Sequence, residues 1–374
     1  MAMANIFDYI AWRGDLTFAQ SPFNPVDNII FSQLAYLPLD GIVGGPEAKG
    51  GVCIADAAEQ IAKRQHDNPS FLNDLTVIEA AALVGAMGTA QRFKNCRLTC
   101  YVNQTDLVSE KQFSAVSVVL GKKMFRKSLL IVYRGTDMSL VGWKEDFNMS
   151  LSEPVPSQLE AAAYLEKMAG RFKGSLLVAG HSKGGNLAIY AASCCGKTTR
   201  RRIVAVYSND APGFHRQFVE GRGYRAIRSR IRAFVPQSSI IGMLFEHGET
   251  PVIVKSTETG LMQHDLCSWE IIHNDIARAE ELSKESVLVD SILRDWINGM
   301  ETEQRHQFIE ALYTILGATH AQSVTELASD WLKSIVGIIN SLKHIDEAAK
   351  KSIGKAIGDL FRIAGKNIQA LRGK

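Results

Sequence analysis

A serine hydroxyl becomes a useful nucleophile only when a base stands ready to take its proton and a third group holds that base in place. Ser182 has surroundings suited to this. The run Gly180-His181-Ser182-Lys183-Gly184-Gly185 contains a G-x-S-x-G pentad, with glycines two residues before and two after the serine. That spacing leaves room for a sharp turn that lifts the hydroxyl above a sheet. The pentad alone is common, and its weight comes from its setting. An apolar run at 176–179 precedes it and the alanine-rich stretch 187–192 succeeds it, giving strand, turn and helix in order. The plain alternative is a glycine-rich turn that only packs a helix against the sheet.

Seven histidines lie beyond Ser182: His215, His247, His264, His273, His306, His320 and His344. The last three fall in helical-looking sequence. His264 sits in the polar loop Gly260-Leu261-Met262-Gln263-His264-Asp265, just after the strand-like segment 251–255, where the base of a triad belongs. The bland reading is a solvated loop histidine. For the acid, Asp210 closes the strand-like run 203–207 in Ser208-Asn209-Asp210-Ala211-Pro212-Gly213, so its carboxylate should emerge at the same sheet edge as Ser182, one strand on. A turn-forming aspartate is its alternative. Asp265, next to the base, would have to fold back on its neighbour. Acyl transfer also needs N–H donors for the oxyanion. The backbone amide of Lys183 is one. The turn Arg134-Gly135-Thr136-Asp137, at the end of the apolar run 129–133, offers Thr136 as the other, or else is an ordinary capped turn.

No metal or organic cofactor is implied. Cys96 and Cys100 have ligand-like spacing but no second Cys/His pair comes at a zinc-finger interval, so they read as small buried apolar residues.

These groups need a scaffold. Ahead of residue 93 the signals are helical: Asn24-Pro25 is a cap and first-turn pair, and 54–63 and 75–87 are alanine-rich. The runs 98–102, 115–120 and 129–133 read as strands. Ser157 and Glu160 form an S-x-x-E capping box ahead of a helix that Gly174 stops. Strand, helix, strand, helix, strand from residue 129 onward implies a parallel sheet covered on both faces. Beyond residue 274 amphipathic helices run to the end. The expected organisation is a hydrolase domain over 1–273 and a helical region over 274–374.

With 42 Lys/Arg against 39 Asp/Glu, the net charge of +3 is too balanced to imply wholesale attraction to nucleic acid or anionic lipid, and no nucleic-acid partner is expected. The N-terminus lacks the form of a secretory signal. Six cysteines in 374 residues, two of them adjacent, suit a reducing compartment, so the cytoplasm is expected. The stretch 352–374 is apolar on one face and basic beside it, which suits weak contact with a membrane surface or, more simply, a packed helix.

The oxyanion-like stretch Tyr133-Arg134-Gly135-Thr136-Asp137, with Trp143 and Asp146 beyond it, and the elbow Gly180 to Gly185 resemble the class 3 lipases. Asn5 to Asp15, the extended elbow through Ala188, Asp210-Ala211-Pro212-Gly213-Phe214 and Gln263-His264-Asp265 resemble a narrower group of Mbeg-like, lipase-related bacterial hydrolases. The resemblance implies an α/β-hydrolase fold, carries Ser182, His264 and Thr136 over by motif, and implies a small acyl ester or lipid as substrate. It departs at the acid. Class 3 lipases place it in a D-x-V-P segment, whereas this chain has Ala233-Phe234-Val235-Pro236. Either the acid is relocated to Asp210, giving a serine ester hydrolase with a Ser182, His264, Asp210 triad, or the chain is a catalytically silent binding or scaffold protein.

Overall fold

A computed structural model describes residues 3–72, 74–120, 128–137, 140–149, 153–299, 301, 303, 358 and 362. The amphipathic stretches expected beyond residue 304, including the basic stripe at 352–374, lie outside the described residues save for two isolated positions.

The chain forms two compact units. The first comprises Met1–Gln104, Phe113–Gly135 and Ser157–Ser283; the second comprises Thr105–Gln112, Thr136–Pro156 and the chain from Lys284. In the first unit, α1 (Ile6–Arg13), α2 (Pro25–Leu34), α3 (Ile54–Asp67) and α4 (Leu75–Thr89) supply the helical N-terminal segment. Asn24 caps α2 as its sequence implies: its side-chain oxygen accepts from the amides of Val26 and Asp27, Asp27 reciprocates to the Asn24 amide, and Pro25 occupies the first turn, where no N–H is needed.

Eight strands form one sheet in sequential order: β1 (Val52–Cys53), β2 (Arg97–Asp106), β3 (Lys111–Leu120), β4 (Ser128–Tyr133), β5 (Ser175–His181), β6 (Ile203–Asn209), β7 (Ile231–Pro236) and β8 (Val252–Val254). The β1–β2 and β3–β4 pairs are antiparallel, and β4 to β8 are parallel throughout. Crossovers between the parallel strands are made by α6 (Pro156–Arg171), α7 (Lys183–Cys194), α8 (Lys197–Arg202), α9 (Arg216–Val219) and α10 (Arg222–Ile227). The mostly parallel sheet with helices on both faces is the α/β-hydrolase architecture. Strand alternation divides its core in two. Leu177 and Ala179 of β5 pack with α1 to α4, while Leu176 and Val178 pack with α6, α7 and α10. A register shift opposite Leu176/Leu177 leaves Val204 bulged and exposed.

Beneath the sheet, Asp27 and Arg92 form an ion pair at 2.6 Å with both side chains fully buried. Arg92 also donates to the carbonyls of Leu16, Ser21 and Pro22, so every part of the fork is used.

The described part of the second unit holds α5 (Leu140–Asn148) and α11 (Lys284–Asn298). Here the Glu145 carboxylate accepts from the Gln112 amide, and Lys144 pairs with Glu110 at 2.7 Å. No described helix is long and apolar enough to cross a membrane.

Two expectations need correction, and one strand is unexpected. Helix α6 begins at Pro156, so Ser157 stands inside its first turn and is not its cap; a proline there loses nothing, because first-turn amides have no helical partner. The segment 231–236 is a full sheet strand, hidden from pattern reading by its Arg232. The chain also does not turn helical at 274: β9 (Ile271–Ile272) and β10 (Asp275–Ile276) form a short hairpin, and α11 starts ten residues later than expected.

Candidate active site

Because β4 to β7 run parallel and in close register, their C-terminal ends share one edge. Tyr133 stands opposite Gly180, His181 opposite Asn209, and Asn209 opposite Phe234. The turns that leave these strands are therefore gathered in space: Gly135 after β4, Ser182 after β5, Asp210 after β6 and Ser239 after β7.

Ser182 makes the turn from β5 into α7 at φ 56° and ψ −133°, a conformation that costs a non-glycine residue about 1–3 kcal/mol. Two contacts enforce it. A Cβ at Gly180 would lie 2.1 Å from the Gly184 carbonyl, and one at Gly184 would lie 2.2 Å from the Tyr133 oxygen, so only glycines let strand and helix approach this closely. The Ser182 amide donates to the Asn209 carbonyl at 2.9 Å. The side chain is half-buried. Lys183 comes next as the first residue of α7, at the positive end of the helix, which is the electrostatics an oxyanion needs.

Asp210 also has positive φ, 45°, and its side chain is 1% exposed. Its Oδ2 is 2.6 Å from His264 Nδ1. Its Oδ1 accepts from the Ser239 hydroxyl at 2.5 Å and from the Gly242 amide at 3.2 Å. A Cβ at Gly242 would come within 2.3 Å of that oxygen, so glycine is what lets the amide reach it. The carboxylate is thus fully engaged, one oxygen on the base and one on its supports. With Asp210 accepting at Nδ1, the His264 proton sits there and Nε2 carries the lone pair, the tautomer a general base requires.

The His264 loop is strapped on both sides. Trp269, fully buried, donates its indole N–H to the Gln263 carbonyl at 2.9 Å, and Gln263 Oε1 accepts from the Ser238 amide at 2.8 Å. Asp265 is committed elsewhere: it caps the adjoining 3-10 turn by accepting from the Cys267 amide at 2.9 Å. Burial pushes its carboxyl above the ordinary range.

His181 is the site residue that sequence reading passes over. It is buried, with Nδ1 2.8 Å from the Tyr36 hydroxyl and Nε2 2.8 Å from the backbone carbonyl of His264. A carbonyl only accepts, so Nε2 bears the hydrogen, Nδ1 is bare, and Tyr36 donates to it. Burial first, and the nearby His264 second, hold the His181 pKa well below its ordinary value; the hydrogen bond to the His264 carbonyl opposes them more weakly. Tyr36 reaches from the end of α2, and the same helix grips the elbow through Asn28 and Ser32, both bonded to the Asn209 side chain. The only available signals are a histidine beside the nucleophile and polar residues inside an otherwise apolar helix.

Thus Asp210 and His264 are brought together, with the elbow beside them through His181. No hydrogen bond among those described joins Ser182 Oγ to His264. Gly135 passes close to the elbow: a Cβ on it would be 3.2 Å from Ser182 Cβ. Thr136, next in the chain, belongs to the second unit, where its hydroxyl bonds the Asp146 carboxylate. Ala233, in the D-x-V-P position, is buried in β7 against the α6 and α7 face.

Cys96 and Cys100 contribute to cores on opposite faces of the sheet and do not share a ligand position. None of the six cysteines forms a disulfide. One group of metal-type donors occurs among the described residues: Glu79, Asp265 and Cys267, whose donor atoms lie within 4.8 Å of one another.

Compared with known proteins, the chain matches the family model described as Mbeg1-like over residues 87–314, more than half its length. No curated protein matches it. Solved structures similar to it include the native Rhizomucor miehei lipase propeptide complex, 15% identical, covering 63% of this chain and 75% of that one with a TM-score of 0.36. Another is the M37 lipase, 15% identical, covering 58% and 69% with a TM-score of 0.33. At that identity these likenesses say nothing of the reaction.

Proposed function

The chain belongs to the Mbeg1-like family, and from that premise we propose that it is a serine ester hydrolase working through an acyl-enzyme. The observation that carries the reading is the 2.6 Å contact between Asp210 and His264 Nδ1, at the sheet edge where Ser182 stands strained in its elbow. Ser182 Oγ bonds to the ester carbonyl carbon as His264 Nε2 takes its proton. The tetrahedral adduct collapses, and His264 returns that proton to the departing alkoxide. Water then attacks the acyl-enzyme, giving up a proton to His264 and releasing the acid as Ser182 is reprotonated. Asp210 accepts from Nδ1–H throughout and stabilises the imidazolium. The amide of Lys183 holds the oxyanion and, as the motif implies, so does that of Thr136.

We take the substrate to be a small acyl ester or a lipid, the compartment to be the cytoplasm, and residues 274–374 to be an appendage to this hydrolase. Labelling with a fluorophosphonate probe tests the reading without knowledge of the substrate. Covalent labelling of the native protein, lost in Ser182→Ala, is expected; an unlabelled native protein sinks it.

A second reading rests on Ala233 and on there being no described hydrogen bond between Ser182 and His264. In it the fold is kept for binding and the serine is inert. The same probe separates the two.

A further inference from the structure

The two ends of the parallel strands differ in charge. Residues 197–232 hold ten Lys/Arg against two Asp/Glu, a net of +8 in a chain whose total is +3. Neither carboxylate neutralises the cluster: Asp210 is buried at the opposite strand end, and Glu220 is paired with Arg216 at 2.9 Å. Helix α8 leads directly into β6, and the 3-10 turn Arg228–Arg230 leads directly into β7. Since β6 and β7 are parallel, both basic segments lie at the N-terminal edge of the sheet, away from Ser182. Arg230 joins them by donating to the Arg200 carbonyl at 2.5 Å. Helix α10 belongs to the same edge. Gly223 abuts Ser193, at the far end of α7 from Ser182, so closely that a Cβ would come within 2.4 Å of the Ser193 oxygen.

Within this cluster the arginines divide by role. Arg200 and Arg202 donate to main-chain carbonyls and hold turns together. Arg201, Arg222, Arg225 and Arg228 are exposed, and their guanidiniums make no hydrogen bond or ion pair with any described residue. The last three recur every third residue and share an outward face, while Tyr224 and Ile227 between them are buried. The carboxylates that bonds place nearby are engaged: Glu166 accepts from the Gly196 amide and the Thr199 hydroxyl, and the half-buried Glu249 accepts from the Tyr224 hydroxyl. Three unpaired guanidiniums on one face, with that of Arg201 exposed on the neighbouring helix α8, are a standing attraction for a polyanion.

We propose that this arginine face binds the phosphate backbone of duplex DNA without regard to base sequence. Guanidinium forks match phosphate oxygens in pairs. A protein partner would need an apolar anchor, and Val204 is the one large apolar side chain strongly exposed within 197–232. Stacking of single-stranded bases needs exposed aromatic rings, whereas Tyr207, Phe214 and Tyr224 are buried. Recognition of duplex RNA draws on its 2′-hydroxyls; this face is built of cations. A membrane on this face would leave Ser182 at the other end of α7, about 17 Å of helix away. The whole-chain balance that argues against nucleic acid averages over this segregation.

The test is fluorescence anisotropy with full-length protein and a labelled duplex DNA of mixed sequence. Four phosphate contacts predict that affinity falls about a hundredfold between 50 and 200 mM salt. Replacing Arg201, Arg222, Arg225 and Arg228 together by glutamine should remove the binding and leave the melting temperature unchanged, whereas replacing all four by lysine should retain most of it. The proposal is overturned by absent duplex binding at 50 mM salt, or by unchanged binding in the glutamine variant. Tighter binding of a matched RNA duplex, of poly-L-glutamate, or of phosphatidylglycerol vesicles by the same four residues would also overturn the DNA assignment.

Discussion

The imidazole rings of His181 and His264 lie 4.3 Å apart, centroid to centroid, and the first ring donates a hydrogen bond to the main-chain carbonyl of the second. A residue adjacent to the serine thereby holds the loop that carries the base. Because His181 is kept neutral by burial while its unfolded counterpart titrates near 6.5, the unfolded chain binds the extra proton below that pH. Stability should therefore be full above pH 6.5 and decline as pH falls below it, by up to about 1.4 kcal/mol per pH unit. Urea midpoints from pH 8 to pH 5 check this, with His181→Phe expected to flatten the decline.

Strain at Ser182 gives an opposite pair of effects at one position. Ser182→Gly should abolish ester hydrolysis and raise stability by about 1 kcal/mol, since glycine adopts positive φ without cost. Ser182→Ala should abolish hydrolysis with little change in stability. Melting temperatures of the two variants measured together decide it; equal values would mean the turn stores no strain.

Asp210→Asn should lower kcat by several orders of magnitude, because an amide disturbs both the tautomer and the charge that His264 needs; the same exchange in a serine-protease triad costs about ten-thousandfold. Asp265→Asn, altering only the cap of a 3-10 turn, should cost less than tenfold, roughly a one-kcal/mol cap effect. Ser239→Ala should fall between them. Steady-state kinetics on a p-nitrophenyl ester give the ranking, and a reversed order would identify Asp265 as the orienting acid.

The buried pair of Asp27 and Arg92 should be intolerant of one-sided change. Arg92→Met leaves a fully buried carboxylate without its cation and should cost about 3–5 kcal/mol. The double replacement Asp27→Leu with Arg92→Met should recover part of that loss. Chemical denaturation of the three variants measures the coupling.

Much of the scaffold is legible in the sequence because it obeys local rules. The helix at Asn24-Pro25 announces itself by capping, β3 to β6 by short β-branched runs, and the elbow by glycines that the close contacts at Gly180 and Gly184 explain. Asp210 is legible as a strand-end carboxylate, although the D-x-V-P position holds alanine. The hidden part is set by contacts between distant segments. Nothing local marks Ser239 and Gly242 as supports of Asp210, or Tyr36 as a partner of His181 across 145 residues. The arginine face escapes when charge is summed over the chain, because its segregation depends on parallel strands placing two basic turns at one edge.

The grip of α2 on the elbow has a consequence for synthesis. Asn28 meets Asn209 across 181 residues, so α2 leaves the ribosome well before the residue that satisfies its buried asparagine exists. At about 5–20 residues per second, that wait is roughly ten to forty seconds. For that interval Ile29, Ile30, Phe31 and Leu34, all fully buried in the finished protein, lack the β5 and β6 part of the core they join. The nascent chain carries this partly uncovered helix while its future elbow is still being made, and the arrival of β5 and β6 is the step that completes the burial of α2.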